Sequence, residues 1–423
     1  MLNRMAVALA ADSAVTHSTV VNGERKISYA SGANKIFQLS SVAPVGVMLF
    51  NNATLQDIPW ELLIKSFRAS LGPATKGSVS EYAVALQQFV ETNHALFPAA
   101  HREQHFKKLA ARAALSVISD MERDHPTLMD VSVQQTHAAE FALFETTIGQ
   151  QLAGATLPRH FDAQDLTDAK NRFRAWLSQE IFTYVQTTPK LQHLAAVIQQ
   201  SGLTDIVIEC VYKFYAQQFD GEYTGIVVAG FGDNDYFPAF VELRYFGFVL
   251  DRLVVDEVSA KAIDHQTDSL IEPFAKKAMV ETFLTGFAPE VWSIVAAQYR
   301  EKAAALVTSQ TQPNAPQPGF DAALSQSVDA FQAEWVRQVL ESHYKSLRDV
   351  ISGLPPNEMA ELAETLVMLE SFKEKVTQRT QSVGGPVDVA VVTRAEGLVW
   401  IKRKHYFDPQ LNQRYFVRQS RTA

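Results

Sequence analysis

The order in which strand-like and helix-like patterns follow one another constrains this 423-residue chain more than any other feature. The first fifty residues carry short apolar runs at turn-length spacing. RMAVALAADS (4–13) ends in a polar turn, and KIFQLS (35–40) and VGVMLF (45–50) follow later. Between them, Thr19-Val20-Val21 and Lys26-Ile27-Ser28-Tyr29 flank Asn22-Gly23, a dipeptide that accepts the positive φ angles of a tight hairpin turn. From Leu55 the period changes. DIPWELLIKSFRASL, EYAVALQQFVETNHALF, HFKKLAARAALSVISDMERD and DAKNRFRAWLSQEIFTYVQ place apolar residues at i, i+3, i+4, with Pro98, Pro126, Gly154 and Pro158 as punctuation. A further helix is expected over 204–219.

Two strands, TGIVVAGFG (224–232) and YFPAFVELRYFG (236–247), flank Asp233-Asn234-Asp235. Helical patterns recur near 269–284, 288–307 and 321–349, and the Pro- and Gln-rich segment 308–320 reads as an exposed linker. A last helix, NEMAELAETLVMLESFKEKV, precedes strands at 387–392 and 398–407 joined at Glu396-Gly397. The layout does not alternate strand and helix, which argues against a parallel doubly wound sheet. It predicts an α+β fold: two antiparallel sheets stacked on each other with helices on both outer faces, a four-layer αββα sandwich. One domain over 1–423 is expected, with core segments 1–71, 201–284 and 356–410 and helical insertions 72–200 and 285–355.

Composition excludes several function classes. A net charge of −8 lacks the basic surface that nucleic acid or an anionic membrane would need. The run Lys402-Arg403-Lys404-His405 reads as a solvated strand end. One cysteine, Cys210, permits no intrachain disulfide, and its apolar helical setting suggests a buried, inert thiol. No secretory signal pattern begins the chain and no apolar run approaches the ~20 residues of a membrane helix, so a cytoplasmic protein is expected.

Five segments, in order, resemble a proteasome β-subunit. VALAADSAVT resembles the family's first strand, ending in an acid at Asp12, and GANKIFQLS resembles the segment bearing its active-site lysine, here Lys35. VGVMLF with the amphipathic helix after it, TGIVVAGFGDNDYFPAFVELRYFG, and QRTQSVGGPVDVAVVTRAEGLVW resemble the next strand and helix, the central hairpin and the closing Gly-Gly–strand–turn–strand. The resemblance covers about a third of the chain. It implies an N-terminal-nucleophile (Ntn) hydrolase of the threonine-peptidase type, in which a terminal Thr, Ser or Cys attacks an amide carbonyl and its own α-amine acts as base. Lys35 would favour the deprotonated amine, Asp12 would orient Lys35, and backbone N–H groups beyond the strand bearing Asn51 would hold the oxyanion. Peptide or other amide substrates and self-association are implied partners, with no cofactor and no metal.

The sequence also departs from the family. No Thr, Ser or Cys precedes Asp12, and Asn51 stands where the family has glycine. The family's supporting aspartate and serine align with Thr380 and Val383, with Ser382 one position out of register. The nucleophile is therefore unidentified. Either it lies ahead of Met1, or the chain is a catalytically silent scaffold or regulatory subunit. Asp12 also suits a plain Asx turn. His101 and His105 fall at i, i+4 on one helical face, but no third metal ligand is evident beside them, and a solvated face is expected. GFGDND lies between strands and reads as a hairpin turn, and the aromatics of helix 171–185 read as core or subunit contact.

Overall fold

The computed structural model describes residues 1–21, 24–219, 222–310, 320–377, 384–405, 407–408 and 410–421. The chain begins with β1 (Leu2–Asn3), β2 (Ala6–Ala11) and a hairpin of β3 (Ala14–Val21) and β4 (Glu24–Ser31). It continues through β5 (Ile36–Gln38), β6 (Val45–Asn51) and a small hairpin of β7 (Thr54–Leu55) and β8 (Ile58–Pro59). Helices α1 (Trp60–Leu71), α2 (Val79–Thr92), α3 (Ala99–Asp124), α4 (His137–Gly154), α5 (Ala163–Thr187), α6 (Ala195–Gln199), α7 (Leu203–Lys213) and α8 (Tyr215–Gln218) follow. Next come β9 (Thr224–Gly230), β10 (Ala239–Val249), β11 (Arg252–Ala262) and β12 (Ser269–Leu270). Helices α9 (Ala278–Thr285), α10 (Pro289–Gln310), α11 (Phe320–Val339), α12 (Lys345–Ser352) and α13 (Pro356–Thr377) lead to β13 (Asp388–Thr393), β14 (Gly397–Lys402) and α14 (Gln413–Arg421).

The fold is α+β with antiparallel sheets. One sheet has the order β12-β1-β2-β13-β14 and the other β11-β10-β9-β6-β5. The first joins the two ends of the chain, because β13 pairs with β2 along its whole length, Asp388 opposite Ala11 through Thr393 opposite Ala6. Alternation along each central strand sorts its residues between two apolar cores. On β6, Val45, Val47 and Leu49 pack with Trp60, Leu63 and Ile64 of α1 and Tyr82 and Leu86 of α2. Met48 and Phe50 turn the other way, into a core that also holds Val7 and Leu9 of β2 and Ala390 and Val392 of β13. Ala6 and Ala8 of β2 and Val389 and Val391 of β13 face Met359, Ala360 and Ala363 of α13. Strands buried on both faces need apolar residues at every position, so VALAA, VGVMLF and TGIVVAG read as unbroken runs.

Helices α3 to α7 build a separate core around Phe106, Phe141, Phe173, Val207 and Tyr212, which meets the sheets at Val249, Leu250 and Val254. Phe173 is buried there, while Tyr184 at the far end of the same helix is exposed. Among the described residues no single helix is long and apolar enough to cross a membrane. The bent pair Gln192–Gln199 and Leu203–Lys213 has a suitable composition, yet its Leu194, Ile198, Leu203 and Val211 are buried in this helical core.

The elements differ from expectation at several places. Strand β11 is not among the expected elements, because its two-residue turn from β10 uses Leu250 at φ 51° instead of a glycine or asparagine. Residues 269–270 form strand β12, not helix, and the helix there starts only at Ala278. Helical structure runs to Gln310 and resumes at Phe320, so residues 308–310 and 320 of the expected linker are helical, and 311–319 lie outside the described residues. The Asn22-Gly23 turn also lies outside them, although β3 and β4 pair in the register it requires, Val21 opposite Glu24.

Candidate functional site

Asp12 follows the last residue of β2, and both of its carboxylate oxygens are engaged. Oδ2 accepts from the backbone N–H of Ala14 at 3.1 Å and of Gly384 at 2.9 Å. Oδ1 accepts from Lys35 Nζ at 2.6 Å, across 23 positions of sequence. The pair is largely shielded, with side chains 13% and 19% exposed for Asp12 and Lys35. Lys35 sits just ahead of β5, and its carbonyl accepts from Leu49 N–H at 2.7 Å, so pairing with β6 fixes its place. The ion pair thus ties the end of one sheet's central strand to the edge strand of the other.

Both residues line a cavity of about 660 Å³, with Asn51 and Asn52 also in its wall. Asn51 ends β6 at φ 67°, a left-handed conformation that asparagine tolerates better than most residues and that glycine adopts freely. Its side-chain amide donates to the Tyr223 carbonyl at 2.9 Å. Phe50, stacked on Phe274 at 5.7 Å and edge-on to Tyr223 at 6.3 Å, gives the cavity an aromatic wall. Sequence reasoning did not find Tyr223 or Phe274, which reach the cavity from segments whose pattern carries no site signal.

The inner edge of β2 faces the same cavity. Met1 and Ala8 form a mutual pair, Met1 N to Ala8 O at 2.9 Å and Ala8 N to Met1 O at 2.8 Å. Beyond it, among the described residues, no strand pairs with that edge between Leu9 and Ala11. The amide and carbonyl of Ala10 share the direction of those of Ala8, by the two-residue period of a strand. Burial pushes the Met1 α-amine down to about 5, against the pull of the Glu272 carboxylate.

Among the described residues the cavity wall contains no Thr, Ser or Cys. Ser13 is fully buried, with its hydroxyl unpartnered, and is not part of the wall. Thr380, Ser382 and Val383 lie outside the described residues. Cys210 is buried among the helices, and desolvation, then Glu209 and Asp120, pushes its thiol up to about 12, which removes it as a nucleophile at neutral pH.

The basic run ends β14 with Lys402, Arg403 and His405 exposed, as expected of a solvated strand end, while Lys402 pairs with Glu364, Lys404 with the buried Asp388, and Arg403 lies 4.6 Å over the Trp400 ring. Another expectation is corrected: the face bearing His101 and His105 is not solvated, because the turn between β7 and β8 covers it. His101 Nε2 donates to the Gln56 carbonyl at 2.9 Å, and the His105 side chain is 14% exposed, with its Nε2 3.3 Å from Asp57 Oδ2. Burial, followed by Lys108 and His101, holds His105 below its ordinary pKa. GFGDND forms the expected β9–β10 turn, where Asp235 accepts from Gly232 N–H at 2.9 Å and Val79 N–H at 3.2 Å. Comparison with family models, curated proteins and solved structures yields no match for the chain.

Proposed function

We propose that the chain is an Ntn-type amide hydrolase of the threonine-peptidase kind, with Asp12 and Lys35 as its charged site residues. The observation that carries the reading is the shielded Asp12–Lys35 pair in the wall of a cavity that also contains Asn51. The packing order, with α1 and α2 against one sheet and α13 against the far face of the other, supports a four-layer αββα sandwich. The open edge of β2 supports the placement of the nucleophile. Asp12 lies four positions beyond Ala8, so the fourth residue ahead of Met1, in β1's register, would come level with it.

In this reading a terminal hydroxyl or thiol attacks the substrate carbonyl and passes its proton to its own α-amine, which then protonates the departing amine. The Lys35 ammonium, held by Asp12, keeps that amine unprotonated at the start. Backbone N–H groups beyond Asn51 receive the negative charge that develops on the carbonyl oxygen. Water then releases the acyl group by the reverse sequence. The aromatic wall of Phe50, Tyr223 and Phe274 favours an apolar side chain next to the scissile bond.

The test is hydrolysis of a fluorogenic peptide panel by three chains. The 423-residue chain should be inactive, because neither Met1 nor Leu2 carries a nucleophilic atom. A chain prolonged by four residues and released with a free N-terminal Thr should turn over substrate. Lys35→Ala in that chain should lower kcat by roughly 10²-fold or more. Turnover by the unextended chain that survives Lys35→Ala would place the chemistry elsewhere. No turnover by any extended chain would favour the scaffold reading.

A further inference from the structure

We propose that Asp57, His101 and His105 form a binding site for a divalent transition cation of the zinc type, which clamps the β7–β8 hairpin to helix α3. One ring nitrogen from each histidine and a carboxylate oxygen from Asp57 all lie within 4.8 Å of one another. The two histidines are one helical turn apart on the same face of α3, with ring centroids 4.7 Å apart. The third ligand comes from a different element, 44 residues before His101, which is why spacing alone does not reveal it.

Ordinary packing leaves this group incompletely satisfied. His105 Nε2 is buried, and no acceptor meets it with good hydrogen-bond geometry; Asp57 Oδ2, 3.3 Å away, is its ionic partner. His101 is held against the hairpin, with the Gln56 carbonyl accepting from its Nε2, so a cation takes its other ring nitrogen or displaces that contact. The carboxylate is presented by a tight turn in which Gln56 (φ 47°) and Asp57 (φ 70°) both take left-handed conformations.

The donor set selects the cation. Two imidazoles and one carboxylate suit zinc and neighbouring first-row ions, whereas calcium and magnesium prefer all-oxygen sites. Asp57 is 71% exposed, and an adjoining cavity of about 230 Å³ touches Asp57 and His105, so a fourth position is open to water. Lys108 Nζ stands 3.7 Å from Asp57 Oδ2 and now occupies the place of a counter-cation. It is 59% exposed and is free to swing aside when a metal enters.

The experiment uses the full 423-residue chain, stripped with a chelator and titrated calorimetrically with zinc chloride. One zinc per chain is expected. Asp57→Asn, His101→Ala and His105→Ala should each weaken it by about tenfold or more, in the range typical of lost site residues. Lys108→Ala, a surface change with little bearing on folding, should tighten binding severalfold by removing the competing ammonium. Zinc should raise the urea midpoint of the wild-type chain and of Lys108→Ala, with a smaller shift for Asp57→Asn at the same zinc concentration, and magnesium should do nothing. Zinc binding indifferent to all four substitutions, or no binding at millimolar zinc in a folded Lys108→Ala chain, would overturn the proposal.

Discussion

Asp12 serves two structural tasks through different oxygens. One holds the backbone at Ala14 and Gly384, the other holds Lys35. The Asx-turn and ion-pair readings therefore describe one side chain, and only folding could show that they coexist. The asymmetry sets the order of two stability changes. Asp12→Ala removes the acceptor of two backbone donors and leaves a shielded ammonium unpaired, so it should cost about 2–4 kcal/mol. Lys35→Ala leaves the carboxylate its two N–H donors and should cost about 1–2 kcal/mol. Urea denaturation of both variants measures the difference, and a larger loss for Lys35→Ala would contradict this account of Asp12. Neighbours in space are legible when a known motif links them, as for Asp12 and Lys35. The meeting of Asp57 with His101 and His105 depends on where one hairpin lands on one helix, which no local pattern encodes.

At the level of elements, the buried strands were readable because burial on both faces demands unbroken apolar runs, as in β2, β6, β9 and β13. Strand β11 was not. Its inner half, Leu253 to Val255, is buried, but from Glu257 to Ala262 it is mostly exposed, and Leu250 hides the turn that starts it. The contact between β6 and β9 offers a sharper test. Gly225 lies opposite Phe50, and a Cβ there would run into the ring. Gly225→Ala should therefore push Phe50 toward the cavity and destabilise the fold by about 1–3 kcal/mol. Phe50→Leu in the same chain should recover part of the loss, because the shared clash couples the two positions. Additive losses in a denaturation cycle would mean that the β6–β9 backbone, not the ring, absorbs the strain.

On the scale of the whole molecule, burial is unevenly distributed. The central strands lie between two apolar cores, and α3 to α7 enclose one of their own. Helices α10 and α11 rest mainly on each other. Phe331 stacks on Tyr299 at 4.8 Å and on Trp292 at 5.8 Å, and the Tyr299 hydroxyl bonds Ser327 Oγ at 2.8 Å. Among the described residues of these two helices, Val328 alone belongs to the buried apolar set. Segments with little buried apolar contact open by local fluctuation at a free energy well below that of global unfolding. Opening the α10–α11 pair exposes one aromatic seam, whereas opening β9 exposes two cores and breaks pairing with β6 and β10 together. Native-state hydrogen exchange read by mass spectrometry should therefore show peptides from 290–310 and 320–339 exchanging at least about a hundredfold faster than those from β2, β6, β9 and β13, a gap of ~2.7 kcal/mol or more. Equal protection across both sets would mean that the helical pair is held by contacts beyond its own aromatic seam, and that the chain opens as one cooperative unit.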